Sequence, residues 1–485
     1  MITINYQRID IENEYYYKKE FIREYLKAIN ENYAAVFAGA GLSRSAGYVD
    51  WKELLSDLAE DIGLDIKKET DLVAVAQYYK NERGGRSAIN QIIMDKFNEK
   101  VENNINIQIL SELPICTYWT TNYDSLIEQQ LKKQNKRVDV KVNQNNLSLS
   151  LRNRDVVVYK MHEDISDPSS AVLTKDDYEA YNIYRSLFST ALQGDLISKT
   201  FVFIGFSFED PNLNSILSRI RVLLNDNQRS HYCLLKKITR NDYNTDEDYI
   251  YASTKQKLRI EDLLRYSINT VLIDSYDEIT EILLSLKNKY FSRRLFMSGS
   301  AYEYGQWDSA PQFLTLLSQT LVKYNYHIIT GFGNGVGSFI ISGSLDEIMN
   351  NKSKNVERYL TMRPRPSFDL QTDKGRILQK HYHEDMIGQS GVVIFLFGNK
   401  KINNDVINSN GVIEEFEIAK SLNKYVIPIG ATGYAAKLIY DEVYSNMEKY
   451  KYLKPYMNEL LNCASNTQMI NTILNILNDI NEIKQ

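Results

Sequence analysis

A glycine-rich run, Ala38-Gly39-Ala40-Gly41-Leu42-Ser43, directly follows the apolar stretch Ala34–Phe37. An apolar strand that ends in such residues lets the backbone approach a phosphate closely and direct N–H groups at it. The helix that follows would add its N-terminal dipole to the binding of a pyrophosphate. The same run also occurs as a tight connection between a strand and a helix, so its meaning depends on the rest of the chain.

Three later segments have the same character as this first turn. They are Thr120-Thr121-Asn122-Tyr123-Asp124, Lys160-Met161-His162 and Gly205-Phe206-Ser207, and each follows an apolar run rich in β-prone residues. Because parallel α/β sheets bind ligands at the carboxyl ends of their strands, we expect all the segments to meet at one edge of a sheet.

Buried strands alternate with helical patterns along the first half of the chain. The predicted strands are Ala34–Ala38, Thr117–Thr121, Asp155–Lys160, Thr200–Gly205, His231–Lys236 and Thr270–Asp274. Residues 51–113 are predicted to be almost wholly helical, as an insertion that covers a nucleotide. This alternation is typical of a doubly wound parallel sheet.

The pattern starts again after a charged helix end near Arg293. Further strands are predicted at Leu295–Ser298, His327–Thr330, Tyr359–Met362, Val392–Phe397 and Tyr425–Ile429. At 485 residues the chain is too long for one core. We therefore predict an α/β protein with two Rossmann-like domains, residues 1–290 and 294–485.

Composition excludes several classes of partner. The net charge of −5 gives no reason to expect nucleic acid or an anionic membrane. The longest apolar runs fall short of the roughly 20 residues that span a bilayer, and the first five residues lack signal-peptide character. We expect a cytoplasmic protein. Three widely spaced cysteines, Cys116, Cys233 and Cys463, form no Cys-x-x-Cys pair, so no metal site is predicted.

Asn122 and His162 are the candidate catalytic residues. Each has a plainer interpretation, since asparagine is a common turn residue and a single histidine at a strand end is more often structural. An asparagine can orient water or a ribose through both its carbonyl and its amide group. An imidazole can accept a proton at neutral pH. Their occurrence together with the glycine-rich turns favours catalysis.

Taken together, the four segments resemble the sirtuin family, which splits NAD at its nicotinamide bond. The resemblance covers about residues 18–285 and makes NAD the expected substrate, with Asn122 and His162 catalytic. The glycine usually found after the histidine is here Glu163, and the glutamine before the asparagine is Thr121. The residues that it implies for NAD binding are Ala38, Gly39, Ala40, Gly41, Ser43, Asp50, Thr121, Asp124, Gly205 and Ser207.

One departure from the sirtuin pattern bears on the reaction. Deacylating sirtuins usually carry a four-cysteine zinc module beside the groove for the acyl-lysine, and this chain lacks those cysteines. Water then becomes the expected acceptor, and NAD hydrolysis to ADP-ribose and nicotinamide the expected reaction. Protein deacylation and a non-catalytic nucleotide-sensing scaffold remain the alternatives.

The second half contains another candidate site for a phosphate-bearing ligand. The run from Gly331 to Gly337 is dense in glycine and follows a strand, although glycines there can simply allow close packing. Residues 294–485 resemble the SLOG family of nucleotide-sensing domains, with the hydrolytic motif of its relatives degraded. The effector-binding residues are predicted to be Gly299, Ser300, Gly331, Gly333, Arg363, Lys400 and Glu415.

A sirtuin-like half joined to a SLOG half resembles the effectors of the bacterial Thoeris anti-phage systems. The resemblance implies that a partner with a TIR domain makes a cyclic ADP-ribose isomer. It also implies that this isomer binds the SLOG domain and relieves the inhibition of the sirtuin-like domain, which then depletes cellular NAD. It also implies a homo-oligomer, a tetramer or a larger assembly. Which isomer is sensed, how assembly controls activity, how the resting site is blocked and what Glu163 does stay open.

Overall fold

The computed structural model describes residues 11–44, 47–97, 104–307, 309–364, 366, 368–369, 371–463 and 465–482. The predictions made from the first five residues, and from residues 98–103 of the helical stretch, lie outside these ranges. The chain divides into two units, Met1–Lys287 and Asn288–Gln485, and the division falls within one helix. None of the helices in the described ranges is both long and apolar enough to cross a membrane.

Seven parallel strands form the sheet of the first unit: β1 (Ala34–Ala38), β2 (Thr117–Thr120), β3 (Val138–Lys141), β4 (Val156–Lys160), β5 (Thr200–Ile204), β6 (His231–Lys236) and β7 (Ile268–Ile273). Their order across the sheet is β3-β4-β2-β1-β5-β6-β7. Every residue of β1 and β5 is buried, as expected for strands covered on both faces. The strand order reverses at β1, and doubly wound sheets bind ligands at such a point.

The helices of this unit are α1 (Ile11–Asn30), α2 (Ala40–Arg44), α3 (Trp51–Asp61), α4 (Leu72–Glu82), α5 (Ser87–Phe97), α6 (Ile105–Glu112), α7 (Leu126–Lys133), α8 (Gln144–Leu147), α9 (Lys175–Tyr184), α10 (Ser186–Ser198), α11 (Pro211–Leu224), α12 (Asp246–Leu264) and α13 (Asp277–Ser292). Helices α2 to α6 lie between β1 and β2 in sequence, which confirms the predicted helical insertion. Leu54, Leu58 and Tyr79 of the insertion share a small core with Tyr123, which follows β2.

The register of the central strands aligns the segments that carry the candidate site. Ala38 of β1 pairs with both Thr120 of β2 and Ile204 of β5. Thr120 in turn pairs with Lys160 of β4. The ends of four strands therefore form one row, and the segments that follow them emerge side by side at the carboxyl edge, as predicted.

The second unit contains a smaller parallel sheet and a hairpin. Its strands are β8 (Arg294–Ser300), β9 (His327–Thr330), β10 (Leu360–Met362), β11 (Val392–Phe397), β12 (Asn399–Ile402), β13 (Asp405–Asn408) and β14 (Tyr425–Pro428). Its further helices are α14 (Ala310–Lys323), α15 (Gly337–Asn350), α16 (Val356–Tyr359), α17 (Asp373–Gly388), α18 (Asn410–Ser421), α19 (Tyr434–Ser445), α20 (Met457–Leu461) and α21 (Asn466–Glu482). The sheet order is β10-β9-β8-β11-β14, so the prediction of two Rossmann-like parallel sheets is confirmed.

Sequence analysis missed strand β3 and the β12–β13 hairpin. Strand β3 is a short edge strand whose residues alternate between buried and half-buried. The hairpin turns at Asn403 and Asn404, which both have positive φ, at 48° and 75°. Because asparagine tolerates this conformation and the favoured two-residue hairpin turn requires it twice, the Asn-Asn pair was the signal for this hairpin.

Candidate active site

The glycines of the first turn pack backbone to backbone against the end of β5. The N–H groups of Gly39 and Gly41 donate to the carbonyls of Ile204 and Gly205, each at 2.9 Å. A Cβ atom on Gly39 would lie 2.3 Å from the Gly205 carbonyl oxygen. These N–H groups thus donate to carbonyl groups of the protein itself, whereas we expected them to point at a phosphate. The helix that follows, α2, has only five residues, so it contributes a smaller dipole than expected.

Gly205→Ala is expected to destabilise the first unit by about 2–5 kcal/mol. Gly205 has a φ of 66°, and a Cβ atom there would lie 2.1 Å from the backbone nitrogen of Leu42. Gly194→Ala is the matched control, because a Cβ atom on Gly194 meets nothing within 4 Å. Thermal melting of both variants checks the prediction, and equal melting temperatures would contradict it.

Asn122 is held by the first turn. Its Nδ2 donates to the Gly39 carbonyl at 3.1 Å and to the Ser43 hydroxyl at 3.0 Å. Its backbone N–H donates to the hydroxyl of Thr120, which itself donates to the Ala38 carbonyl. The side chain is 8% exposed, and its Oδ1 has no hydrogen-bond donor among the described residues. A buried acceptor of this kind is available to a donor on a ligand.

Asp124 and Lys160 form a buried charged group next to Asn122. Burial raises the pKa of Asp124 above its ordinary value, and the opposing effect of Lys160 does not cancel this. The Lys160 ammonium donates to the carbonyls of Tyr123 and Asp124 and pairs with Glu128 at 3.2 Å. Oδ2 of Asp124 has no hydrogen-bond partner within the described part of the chain. It is therefore a second acceptor available to a ligand.

A cleft opens beside these two acceptors. Its wall includes six candidate residues, namely Ala40, Ser43, Asp50, Thr121, Asn122 and Asp124. Val49, Trp51, Leu54, Phe97 and Tyr123 complete it. The remaining candidates of the first site are at the same edge of the sheet but outside this wall, namely Ala38, Gly39, Gly41, His162, Gly205 and Ser207. The wall of the cleft thus combines polar acceptors with the aromatic residues Trp51, Phe97 and Tyr123.

His162 is buried just beyond β4, at the position that corresponds to Asn122 beyond β2. Because Thr120 pairs with Lys160, His162 and Asn122 each lie two residues beyond a paired position. The imidazole is 1% exposed, and its centroid is 6.5 Å from the centroid of Trp51, which lines the cleft. Its Nε2 lies 3.0 Å from Oδ2 of Asp210. This contact is not aligned as a hydrogen bond, and Nδ1 also has no hydrogen-bond partner among the described residues.

Glu163 directs its carboxylate away from the imidazole and towards Arg185. The two side chains form a buried ion pair, and Arg185 also donates to the Val142 carbonyl at 2.9 Å and the Met161 carbonyl at 3.3 Å. Burial raises the pKa of Glu163, although Arg185 opposes the effect. Glu163 has a φ of 78°, a conformation that favours glycine, which is the residue that sirtuins usually have here. The ion pair therefore holds a strained residue in place beside His162.

The glycine-rich segments of the second unit also meet at the carboxyl edge of their sheet. A Cβ atom on Gly333 would lie 1.9 Å from the Gly299 carbonyl oxygen, so these two residues require close backbone packing. Gly331 differs, because a Cβ atom there would meet only the Tyr382 hydroxyl, at 3.9 Å. Ser300 donates to the Asn399 carbonyl at 3.2 Å.

The charged candidates of this second site lie in different environments. Arg363 directly follows β10 and forms an exposed ion pair with Asp385. Glu415 of α18 accepts a hydrogen bond from Ser298 of β8. Lys400 is on the β12–β13 hairpin, half-buried, and has no carboxylate partner among the residues described. Arg363 thus directly follows a strand of the sheet, and Glu415 is hydrogen-bonded to another strand. Lys400, in contrast, is on the separate hairpin.

Several side chains around the first site were not singled out by sequence analysis. Asp210 has a sequence signal, since Asp-Pro at 210–211 marks a helix start and α11 begins at Pro211. Lys160 was visible as a lysine at the end of an otherwise apolar strand. Arg185 is at the junction of α9 and α10 and has no such signal. Among the described residues, no group of His, Cys, Asp or Glu side chains is placed to hold a metal ion.

Comparisons with known proteins cover both units. A family profile described as a SIR2-like domain matches residues 117–266, and one described as the Sir2- and TIR-associating SLOG family matches residues 278–480. A protein of Bacillus cereus (strain MSX-D12), named NAD(+) hydrolase ThsA, is 48% identical over 94% of this chain and 96% of its own length. Proteins of that name from Cytobacillus dafuensis and Enterococcus faecium are each 46% identical, over 89% of this chain and 90% and 92% of their own lengths. Because relatives this similar match along nearly their whole length, the chain belongs to the ThsA family of NAD(+) hydrolases.

Proposed function

We propose that this chain hydrolyses NAD to nicotinamide and ADP-ribose at the carboxyl edge of its first sheet, and that this activity serves anti-phage defence. The observation that carries the proposal is the strand register, which puts Asn122 and His162 at equivalent positions beyond neighbouring strands. The wall of a neighbouring cleft contains Oδ1 of Asn122 and Oδ2 of Asp124, two buried acceptors that receive no hydrogen bond from the described residues. The names of the relatives point to the same reaction.

The proposed roles follow from the hydrogen-bonding capacity of each group. Oδ1 of Asn122 and Oδ2 of Asp124 accept hydrogen bonds from the bound dinucleotide or from the attacking water. The bond between the nicotinamide nitrogen and the ribose C1′ breaks, nicotinamide leaves with the bonding electrons, and water adds to C1′. His162 accepts the proton released by the water, which is a typical role for a histidine at neutral pH.

Protein deacylation is the alternative that a sirtuin-like half keeps open. A deacylase consumes NAD only when an acylated peptide is present, whereas a hydrolase needs water alone. Incubating the purified full chain with NAD and no peptide therefore tests the proposal. Nicotinamide release without peptide supports hydrolysis, and release only after an acyl-lysine peptide is added supports the alternative.

We further propose that the second unit binds a cyclic ADP-ribose isomer made by a TIR-domain partner and thereby activates the first unit. Gly299, Ser300, Gly331, Gly333, Arg363, Lys400 and Glu415 are its proposed contacts. Support comes from the family profile, whose description pairs SLOG domains with Sir2 and TIR proteins. A ligand can switch the protein only by binding the active state more tightly than the resting state.

Arg363→Ala is expected to raise the concentration of isomer needed for half-maximal activation by about 10- to 150-fold, because it removes a charge-assisted contact to phosphate. Arg376→Ala is the matched control, since Arg376 is also an exposed arginine paired with an aspartate, Asp373. NAD consumption titrated against each cyclic ADP-ribose isomer measures both variants. Equal activation curves for the two variants would remove Arg363 from the sensor site.

We also propose that the chain forms a homo-oligomer, as the resemblance to Thoeris effectors implies. Helix α12 buries only Leu263 and leaves Ile250, Tyr251 and Leu258 exposed, which suits contact with a second copy. Light scattering with and without each isomer measures the assembly. A particle that stays monomeric in both conditions would contradict this proposal.

A further inference from the structure

We infer that Asp210 is a positioning residue for NAD hydrolysis, which orients the His162 imidazole so that Nδ1 accepts the proton. This inference rests on the proposed function, because it assigns a partner to the proposed general base. The contact that suggests it joins Nε2 of His162 and Oδ2 of Asp210, which are 3.0 Å apart.

The Asp210 carboxylate is fixed from two sides. Its Oδ1 accepts from the Leu213 N–H at 2.8 Å, as the N-cap of α11, and its Oδ2 accepts from the Tyr178 hydroxyl at 3.3 Å. Burial together with Asp210 raises the pKa of Tyr178, so this hydroxyl stays protonated and remains a donor. A carboxylate held in this way presents one oxygen to the imidazole in a defined direction.

Asp210 is the ionised group that faces His162. Trp51 of α3 and Tyr178 and Tyr181 of α9 surround the ring, at centroid distances of 6.5, 5.6 and 6.4 Å. Glu163, its neighbour in sequence, pairs with Arg185 instead. Burial raises the pKa of Asp210, but the imidazole and the hydrogen bonds from Leu213 and Tyr178 outweigh burial and lower it below its ordinary value. Asp210 therefore carries its charge at neutral pH.

The orientation of the ring follows from this charge. An ionised carboxylate only accepts hydrogen bonds, so it favours the tautomer whose proton is on Nε2 and leaves the lone pair on Nδ1. The contact between Nε2 of His162 and Oδ2 of Asp210 is not aligned as a hydrogen bond in this structure. Catalytic hydrogen bonds commonly become shorter and better aligned only when substrate is bound. The pair thus resembles the carboxylate–imidazole arrangement in which the acid orients the base without taking up a proton.

Asp210→Asn tests the inference with little disturbance of the fold, because asparagine is as good an N-cap as aspartate. We expect kcat for NAD to fall by about 10²–10⁴-fold, with KM nearly unchanged, since the wrong tautomer becomes available. Asp71→Asn, at the N-cap of α4, makes the same chemical change at an exposed N-cap and should leave both quantities unaltered.

Wild-type kcat in Asp210→Asn would overturn the inference. If that variant melts early, Tyr178→Phe replaces it as the test, because it removes one hydrogen bond to Oδ2 and keeps the charge. Its kcat is expected to fall by up to about tenfold, and an unchanged kcat would count against the inference. A wild-type protein that does not hydrolyse NAD under any activating condition would instead refute the proposed function.

Discussion

Replacing either Asn122 or His162 with alanine is expected to lower the rate of NAD hydrolysis by about 10²–10⁴-fold. The Asn122 change removes the buried acceptor at the cleft, and the His162 change removes the group proposed to accept the proton. Nicotinamide release by the purified full chain, with every proposed activator present, measures both. Turnover at the wild-type rate in either variant would refute the role assigned to that residue.

A matched control separates catalysis from folding. Asn106 is as buried as Asn122, at 7% exposed, but it is on α6 and accepts a hydrogen bond from Thr280, outside the wall of the cleft. Asn106→Ala therefore removes the same chemical group from a position without a proposed catalytic role. We expect it to retain NAD hydrolysis wherever the protein remains folded, as judged by its melting temperature.

Arg185→Met is expected to destabilise the first unit by about 3–5 kcal/mol, because it leaves the buried Glu163 carboxylate without its cation. For a unit of this size, the corresponding fall in melting temperature is about 6–20 °C. Three carbonyl groups, those of Val142, Met161 and Ser170, also lose a donor. Differential scanning calorimetry measures the effect on the transition of the first unit.

A second substitution tests whether Glu163 is the cause. In Arg185→Met with Glu163→Gly, the unpaired carboxylate is gone and glycine adopts the φ of 78° without a Cβ atom. The double variant should therefore melt at a higher temperature than Arg185→Met alone. If both melt at the same temperature, the loss is due to the carbonyl groups and not to the ion pair.

Much of the first unit could be predicted from sequence because its central strands are short, largely buried and followed by small or polar residues. Ala34–Ala38 and His231–Lys236 were predicted to the residue, since both runs are mostly apolar, as strands of a buried parallel sheet are. The register was not predictable in detail, but the carboxyl-edge rule placed Asn122 and His162 on the same side of the sheet. The missed β3 is a short edge strand, where packing constrains sequence less.

The charged contacts around the site could not be predicted in the same way. Glu163 and Arg185 are separated by a helix, and Asp210 reaches His162 only because α11 begins where it does. Such pairs depend on side-chain positions that no local pattern encodes. The close backbone packing of Gly39 and Gly41 against the end of β5 could not be predicted either, and their contact with a phosphate stays a prediction.

The buried Lys160 has a consequence for how substrate enters and product leaves. Its ammonium joins the backbone of Tyr123 and Asp124 to the end of β4, two residues before His162, and burial keeps it from water. The loop that carries Asn122 and the segment that carries His162 are therefore held together as one rigid block. The wall of the cleft also includes Val49 and Trp51, which the ammonium does not hold, so we expect the rate of nicotinamide release to respond more to changes there than to changes near the ammonium.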